Sequence, residues 1–256
     1  MGKRVCIIGG GISGLTTAFL LHQKGLDITL FESSHEVGGN IQSEKKDGFL
    51  IEHGPNSLLR SSRIVDLVDS LELGEDVLPA TASAKKRFVL IDGKLRALPT
   101  GLLSFIFGDF FSLRAKFRLL KEPFVGSSAR ENESVAEFFE RRLGREILEK
   151  AADPFISGIF AGDPEQLSIS EAFPSLVEYE RQYGSLLLGA IRNKSEKADP
   201  NFPRSFTFQN GLRTLTGCIH ERLSGRVRTG VPVTRIDRLE NGFRLITDNG
   251  EPEAFD

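Results

Sequence analysis

Hydrophobic positions open this chain as a short continuous run, Arg4-Val5-Cys6-Ile7-Ile8, which stops at glycines and resumes with a different period. Leu15, Ala18, Phe19 and His22 keep helical spacing through residues 12 to 24, Gly25 can end that helix, and Asp27–Glu32 reads as a second strand. Residues 49–52 read as another short strand, closed by the turn His53-Gly54-Pro55-Asn56-Ser57, because proline cannot donate to a sheet ladder. A helical period returns over 61–71 through Ile64, Leu67, Val68 and Leu71. Arg87–Ile91 and Lys94–Leu98 flank Asp92-Gly93, a pair suited to the type I′ turn of a hairpin.

From Thr100 to about Ile191 the period is helical, with Pro123, Gly144, Pro154, Pro164 and Pro174 in the connections. Ser134-Val135-Ala136-Glu137 has the spacing of a capping box. The polar segment Asn193–Pro203 predicts a linker or mobile loop, after which Ser205–Phe208 reads as a strand and Gly211–Leu223 as a helix. Strands separated by turns at Glu240-Asn241-Gly242 and Asp248-Asn249-Gly250 predict a β-meander from near Val231. Its last segment, Glu253–Asp256, is expected to be too short to complete a partner for Phe243–Thr247, with a frayed terminus as the alternative.

That order implies an α/β chain. A Rossmann-like dinucleotide-binding domain takes residues 1–86 and 205–256, ending within a three-stranded β-meander, and a mostly α-helical insertion occupies 87–204. Its chemistry is concentrated in Gly9-Gly10-Gly11-Ile12-Ser13-Gly14, a G-x-G-x-x-G turn directly behind the first strand. Gly9 allows the tight turn, Gly11 lets backbone approach a pyrophosphate, Gly14 permits close helix packing, and the helix N-terminus favours the phosphate charge. Glu32, at the end of the second strand, is placed for the ribose hydroxyls, and the paired glycines of Ser33-Ser34-His35-Glu36-Val37-Gly38-Gly39-Asn40 suit another close approach.

Composition narrows the class. With 256 residues and 39% hydrophobic content the chain can bury a sizeable core, and a formal charge of −2 argues against nucleic acid as its main partner. Cys6 and Cys218 supply neither a disulfide framework nor a metal cluster, which points to a reducing cytoplasm. No apolar run reaches the roughly 20 residues of a membrane span, and Gly2-Lys3-Arg4 leads into a strand rather than a cleavable signal. The histidines His22, His35, His53 and His220 are scattered, with no nucleophile triad and no metal set.

GGGISG, FESSHEVGGN and EHGPNS together resemble the flavin-containing amine oxidase superfamily. The interior segments KKRFVLIDGKLRALP and ESVAEFFERRLGREILEKAADPFISGIFAGDPEQLSISEAF, with FTFQNGLRTLTGCI, resemble its protoporphyrinogen oxidase branch across essentially the whole chain. The resemblance implies FAD as cofactor. Gly9, Gly10, Gly11, Ile12, Ser13 and Gly14 would hold its pyrophosphate, Glu32 and Ser33 the adenosine ribose, and Gly38, Gly39 and Asn40 the second phosphate and ribityl side. Gly54, Pro55, Asn56 and Ser57 would line the flavin end, and the backbone of Val233 the adenine. Arg87 would face a substrate propionate, with a solvated charge beside Lys85 and Lys86 as the alternative, and Gly158 would lie close to the macrocycle, with a turn glycine as the alternative. Ala161 stands where some relatives carry glycine.

The reaction implied is oxygen-dependent oxidation of protoporphyrinogen IX to protoporphyrin IX, in haem and tetrapyrrole biosynthesis. Hydride passes to the flavin, dioxygen reoxidises it, and no catalytic side chain is required. Coproporphyrinogen III, another amine oxidase or desaturase substrate, and an inactive FAD-binding fragment are the alternatives. Gly101–Phe111 is aromatic-rich, and in Ser112–Lys121 the residues Leu113, Phe117 and Leu120 oppose Arg114, Arg118 and Lys121. That pattern suits either packing inside the helical region or peripheral attachment to the inner face of the cell membrane. Oligomeric state, a homodimer included, is left open.

Overall fold

Strand β1 (Arg4–Ile8) runs parallel to β2 (Asp27–Phe31), with Arg4 opposite Asp27 and Ile8 opposite Phe31, and helix α1 (Ile12–Gln23) makes the crossover. The computed structural model describes residues 3–81, 84, 86–91, 93–99, 102–127, 132–192, 202–248, 250 and 252–256. Helix α1 buries Leu15, Ala18 and Phe19, the positions its spacing selects. The hairpin of β3 (Ser43–Lys46) and β4 (Phe49–Glu52) turns on Asp47 and Gly48, at φ 52° and 82°. Positive φ at both central residues is the type I′ geometry that Asp-Gly favours. Next come β5 (Leu58–Leu59), α2 (Ser62–Ser70) and β6 (Val77–Pro79).

The middle of the chain is helical after one hairpin, β7 (Phe88–Ile91) with β8 (Lys94–Ala97). Gly93 there has φ 73°, while Asp92 lies outside the described residues. Helices α3 (Leu102–Phe107), α4 (Leu113–Leu120), α5 (Val135–Leu143) and α6 (Arg145–Ile147) lead through a π-helical turn into α7 (Asp153–Phe160). Helices α8 (Ile169–Ala172), α9 (Pro174–Tyr183) and α10 (Leu186–Arg192) complete this part. The capping box at α5 is present, Ser134 and Glu137 each accepting from the other's amide. Of the predicted linker, residues 193–201 lie outside the described residues.

The chain then returns. Strand β9 (Ser205–Phe208) pairs antiparallel with both β5 and β6, α11 (Arg213–Arg222) follows, and β10 (Val227–Arg228) joins β2 in parallel. Strands β11 (Val233–Leu239), β12 (Gly242–Thr247) and β13 (Glu253–Phe255) form the meander, with Asn249 outside the described residues. Its end is the short, incomplete partner expected and not a frayed terminus: Phe255, Ala254 and Glu253 pair with Phe243, Arg244 and Leu245, three of the five residues of Phe243–Thr247. Phe255 is buried against Phe31 and Leu245, and Asp256 accepts from the Arg4 amide at 2.6 Å and donates its own to the Arg4 carbonyl at 3.0 Å. Three residues hold a strand here because burial of one aromatic ring outweighs the fraying entropy of so short an end.

Two compact units result, Met1–Ala80 with Asp199–Asp256, and Thr81–Ala198. Within the first unit the Ala80 amide donates to the Ser205 carbonyl at 2.9 Å. The first unit's core joins Leu15, Leu30, Val68, Phe206, Phe208 and Leu215. The second holds two clusters, one around Val135, Phe138 and Ile156, the other around Phe110, Phe111 and Ala115. A wholly buried ion pair, Arg142 with Glu122, also lies in the second unit. Glu122 further accepts from the Ser185 hydroxyl at 2.5 Å and the Leu186 amide at 2.9 Å, which caps α10. Among the described residues no helix is long and apolar enough to cross a membrane.

Candidate functional site

Backbone faces backbone at the turn between β1 and α1. Gly9 has φ 101°, and a Cβ on Gly14 would lie 2.0 Å from the Gly9 carbonyl oxygen, so only glycine fits there. The Gly38 amide donates to the Gly10 carbonyl at 2.8 Å, Gly11 and Gly38 form a parallel bridge, and a Cβ on Gly39 would sit 3.1 Å from the Gly11 Cα. Gly11 is the N-cap of helix α1, which therefore has no side-chain cap, and its first turn carries no acidic residue. Its first amides, Ile12, Ser13 and Gly14 among them, therefore keep their donors and the positive end of the helix dipole available to an anion.

Glu32 orders the rim of this cradle. Its Oε2 accepts from the Gly10 amide at 2.5 Å and its Oε1 from the Ser34 amide at 2.8 Å and the Ser33 hydroxyl at 3.2 Å. Burial alone would raise the carboxyl, but the amides of Ser34 and Gly10 outweigh it and hold it below the ordinary carboxylate range. Three donors occupy three of roughly four lone-pair directions, leaving an ionised, oriented acceptor. The chain passes this point twice: the Gly230 amide donates to the Ser34 carbonyl at 2.8 Å and the Val231 amide to the Glu32 carbonyl at 2.9 Å. Val233 follows at the start of β11, beside a register shift that interrupts the ladder between Val233 and Arg235.

Gly54, Pro55, Asn56 and Ser57 are exposed just beyond β4. The Gly54 backbone packs directly on Asn40, whose carbonyl oxygen lies 1.9 Å from where a Gly54 Cβ would stand. Thus the loops after β2 and β4 meet. Sequence reasoning missed the device that aims them. Glu52 accepts from the Ser43 hydroxyl at 2.6 Å and from the Leu212 amide at 2.8 Å, tying the hairpin to the start of α11. Gly211, at φ 89°, makes room, since a Cβ there would lie 2.5 Å from Ser43 Oγ. The available signals were Asp47-Gly48 and Gly211, but Ser43-Glu44-Lys45-Lys46 has no apolar alternation to mark β3.

In the second unit, Arg87 precedes β7 and its guanidinium carbon stands 6.0 Å from the centre of the Phe155 ring. Phe155, Gly158 and Ile159 share one face of α7 by spacing, and Phe155 and Ile159 are 37% and 57% exposed. Gly158 is thus a helix residue rather than a turn glycine, and a Cβ there would meet nothing within 4 Å. Ala161 caps α7 in the left-handed region, at φ 48°. Arg87 and Gly158 are brought to one apolar face; Lys85 lies outside the described residues. The two thiols are unsuited to nucleophilic chemistry, burial pushing Cys6 up to about 11 and Cys218 upward as well. His53 is paired with Glu44 at 2.8 Å in an exposed position.

Residues 12–256 match the family described as flavin containing amine oxidoreductase. The chain belongs to that family. Protoporphyrinogen oxidase 2, chloroplastic/mitochondrial, of Arabidopsis thaliana is 34% identical over 87% of this chain and 48% of its own length. Coproporphyrinogen III oxidase of Bacillus subtilis is likewise 34% identical, over 97% of this chain and 57% of its own. A solved structure from Exiguobacterium sp. 255-15, provisionally named a protoporphyrinogen oxidase, superposes with TM-score 0.74 at 30% identity, covering 100% of this chain and 58% of that one. This chain therefore spans about half the length of the curated relatives it matches. A flavin's dinucleotide portion fits what is present: an uncapped helix start, and glycine backbones where a Cβ would obstruct the approach.

Proposed function

We propose that this chain carries the FAD-binding and substrate-facing part of an oxygen-dependent porphyrinogen oxidase, with protoporphyrinogen IX as the substrate oxidised to protoporphyrin IX. The observation that carries the reading is the glycine cradle, Gly9 to Gly14 against Gly38 and Gly39, over an uncapped helix. In this reading residues 1–86 and 205–256 form the FAD-binding domain and 87–204 the substrate-binding region. The amides of Gly11, Ile12, Ser13 and Gly14 hold the pyrophosphate, Glu32 and Ser33 the ribose, and Val233 the adenine. Gly38, Gly39 and Asn40 serve the second phosphate and ribityl chain, and Gly54 to Ser57 the ring end. Once bound, FAD supplies the hydride acceptor and dioxygen renews it, so the protein's task is binding and orientation.

The face on α7 supplies what such a substrate needs. Arg87 offers two parallel N–H donors to a propionate carboxylate, Phe155 and Ile159 offer apolar contact, and Gly158 leaves room for a flat ring. Replacing Arg87 with alanine is expected to raise KM about tenfold or more while leaving flavin binding unchanged. Coproporphyrinogen III is the second reading, because the relative named for that substrate is as similar as the one named for protoporphyrinogen.

The membrane reading has support on α4, where Leu113, Phe117 and Leu120 are 71%, 63% and 60% exposed beside the basic positions 114, 118 and 121. We place the protein in the cytoplasm with this helix lying on the inner face of the membrane.

The test is porphyrin fluorescence in air, using the full chain loaded with FAD and offered each porphyrinogen in turn. A rate above autoxidation supports the reading, and the faster substrate assigns specificity. Retention of stoichiometric FAD through gel filtration without turnover would instead select the inactive binding fragment, and turnover of an amine or carotene alone would select another branch of the family.

A further inference from the structure

The basic stripe of α4 borders a cavity of about 740 Å³. Arg114, Arg118 and Lys121 form one edge, the α5–α6 connection with Leu143, Gly144 and Arg145 forms the other, and Ala115 and Phe117 add apolar surface. Both carboxylates in its wall are already engaged. Glu149 accepts from Arg145 Nε at 2.7 Å, and Glu146 accepts from the Ser112 amide at 2.9 Å and Lys150 Nζ at 2.8 Å. Arg114, Arg118 and Lys121 form no ion pair among the described residues, so the cavity edge keeps three uncompensated positive charges.

One of those charges is held in place. Arg118 Nη2 donates to the Arg141 carbonyl at 2.5 Å, which leaves its other donors available. Its stem passes Gly144, where a Cβ would come within 3.0 Å of Arg118 Cγ, and the φ of 92° at Gly144 further favours glycine. The helix cap therefore admits the arginine to the cavity. Charges three and four residues apart span about 10 Å along a helix, a length that suits a phosphodiester headgroup better than a point ion. Beside them, one position back at each step, runs the exposed stripe Leu113, Phe117 and Leu120.

We propose that this cavity is a headgroup site for an anionic phospholipid, its phosphodiester received by Arg114, Arg118 and Lys121 and its acyl chains lying along Leu113, Phe117 and Leu120. A soluble phosphate would use the cations and leave the apolar stripe in water; a lipid uses both. The proposal rests on the membrane reading above, to which it adds the lipid class and the residues that select it.

The test is co-sedimentation of the full chain with vesicles of phosphatidylcholine alone and with phosphatidylglycerol added. Wild type is expected to partition more strongly onto the anionic vesicles, and Arg114→Gln/Lys121→Gln to lose roughly 25-fold of that increment, about fivefold per basic side chain, while keeping its residual binding to neutral vesicles. Leu113→Ser/Phe117→Ser is expected to reduce partition onto both. If the charge variant binds anionic vesicles as wild type does while the apolar variant detaches, the headgroup site is overturned and the membrane reading stands. If wild type binds neither vesicle, the membrane reading fails; calorimetry with a short-chain phosphatidylglycerol below its micelle concentration then decides the headgroup site separately. Heat that is abolished in the charge variant supports it, and absence of heat overturns it. Inorganic phosphate serves as competitor, and equal displacement by millimolar phosphate would reassign the cavity to a free anion and overturn the lipid assignment.

Discussion

A Cβ on Gly54 would stand 1.9 Å from the carbonyl oxygen of Asn40, so the two loops proposed to follow the cofactor are in backbone contact. We expect Gly54→Ala to push them apart at a cost of about 1–3 kcal/mol, because backbone cannot yield as a side chain can. Titration of FAD followed by quenching of its fluorescence checks this: affinity should fall about tenfold or more. Unchanged affinity would remove these loops from the cofactor site.

Glu146 holds the start of α4, accepting from both the amide and the hydroxyl of Ser112 and from Lys150. Burial opposes its charge, but the bonds from Lys150 and Ser112 prevail and hold it at about 2. A depressed folded value means that the carboxylate's stabilisation is fully present above the unfolded value of about 4.3 and is lost as pH falls through about 2. Glu146→Gln should therefore lower Tm at pH 7 by the equivalent of about 0.5–1.5 kcal/mol. That gap should hold down to about pH 5 and close on further acidification, as thermal melts across pH would record.

Arg142 is wholly buried and donates to Glu122, to the Val125 carbonyl at 2.9 Å and to the Gly184 carbonyl at 2.8 Å. Removing the guanidinium strands a buried carboxylate, so Arg142→Met should destabilise by about 3–5 kcal/mol. In denaturant unfolding, Arg145→Met, which removes only an exposed partner of Glu149, should leave the midpoint unmoved. Equal shifts in the two variants would refute the assignment.

Ala161 ends α7 at φ 48°, a conformation that charges a Cβ-bearing residue roughly 1–2 kcal/mol. Ala161→Gly should raise stability by about 1 kcal/mol, visible as a higher melting temperature. A lower one would mean that the Ala161 methyl makes a contact worth more than the strain.

The backbone geometry of the glycine turn was legible because glycine spacing reports it directly. Gly9 and Gly14 each meet a local demand of the strand-to-helix turn, and Leu15, Ala18 and Phe19 mark the helix face that packs beneath it. The hairpin β7–β8 and the capping box at Ser134 were equally local signals. Strand β3 was not, since its Ser-Glu-Lys-Lys carries no alternation and is held by pairing with β4. Glu52 and Ser43, which anchor that hairpin to Leu212 and Arg213, act across 160 and 170 residues of chain.

By itself the sequence determined the α/β class, the glycine-rich strand-to-helix turn and the family likeness, because each rests on residues close together in the chain. Tertiary structure alone decided that Glu32 is held by Gly10 and Ser34, that Gly54 rests on Asn40, and that Phe255 seats the last strand on Phe31. It also decided that the apolar stripe of α4 faces solvent beside a basic cavity rather than a core. A periodic pattern states only that a helix has an apolar side; what covers that side depends on the elements that reach it, and those are set by packing between distant segments.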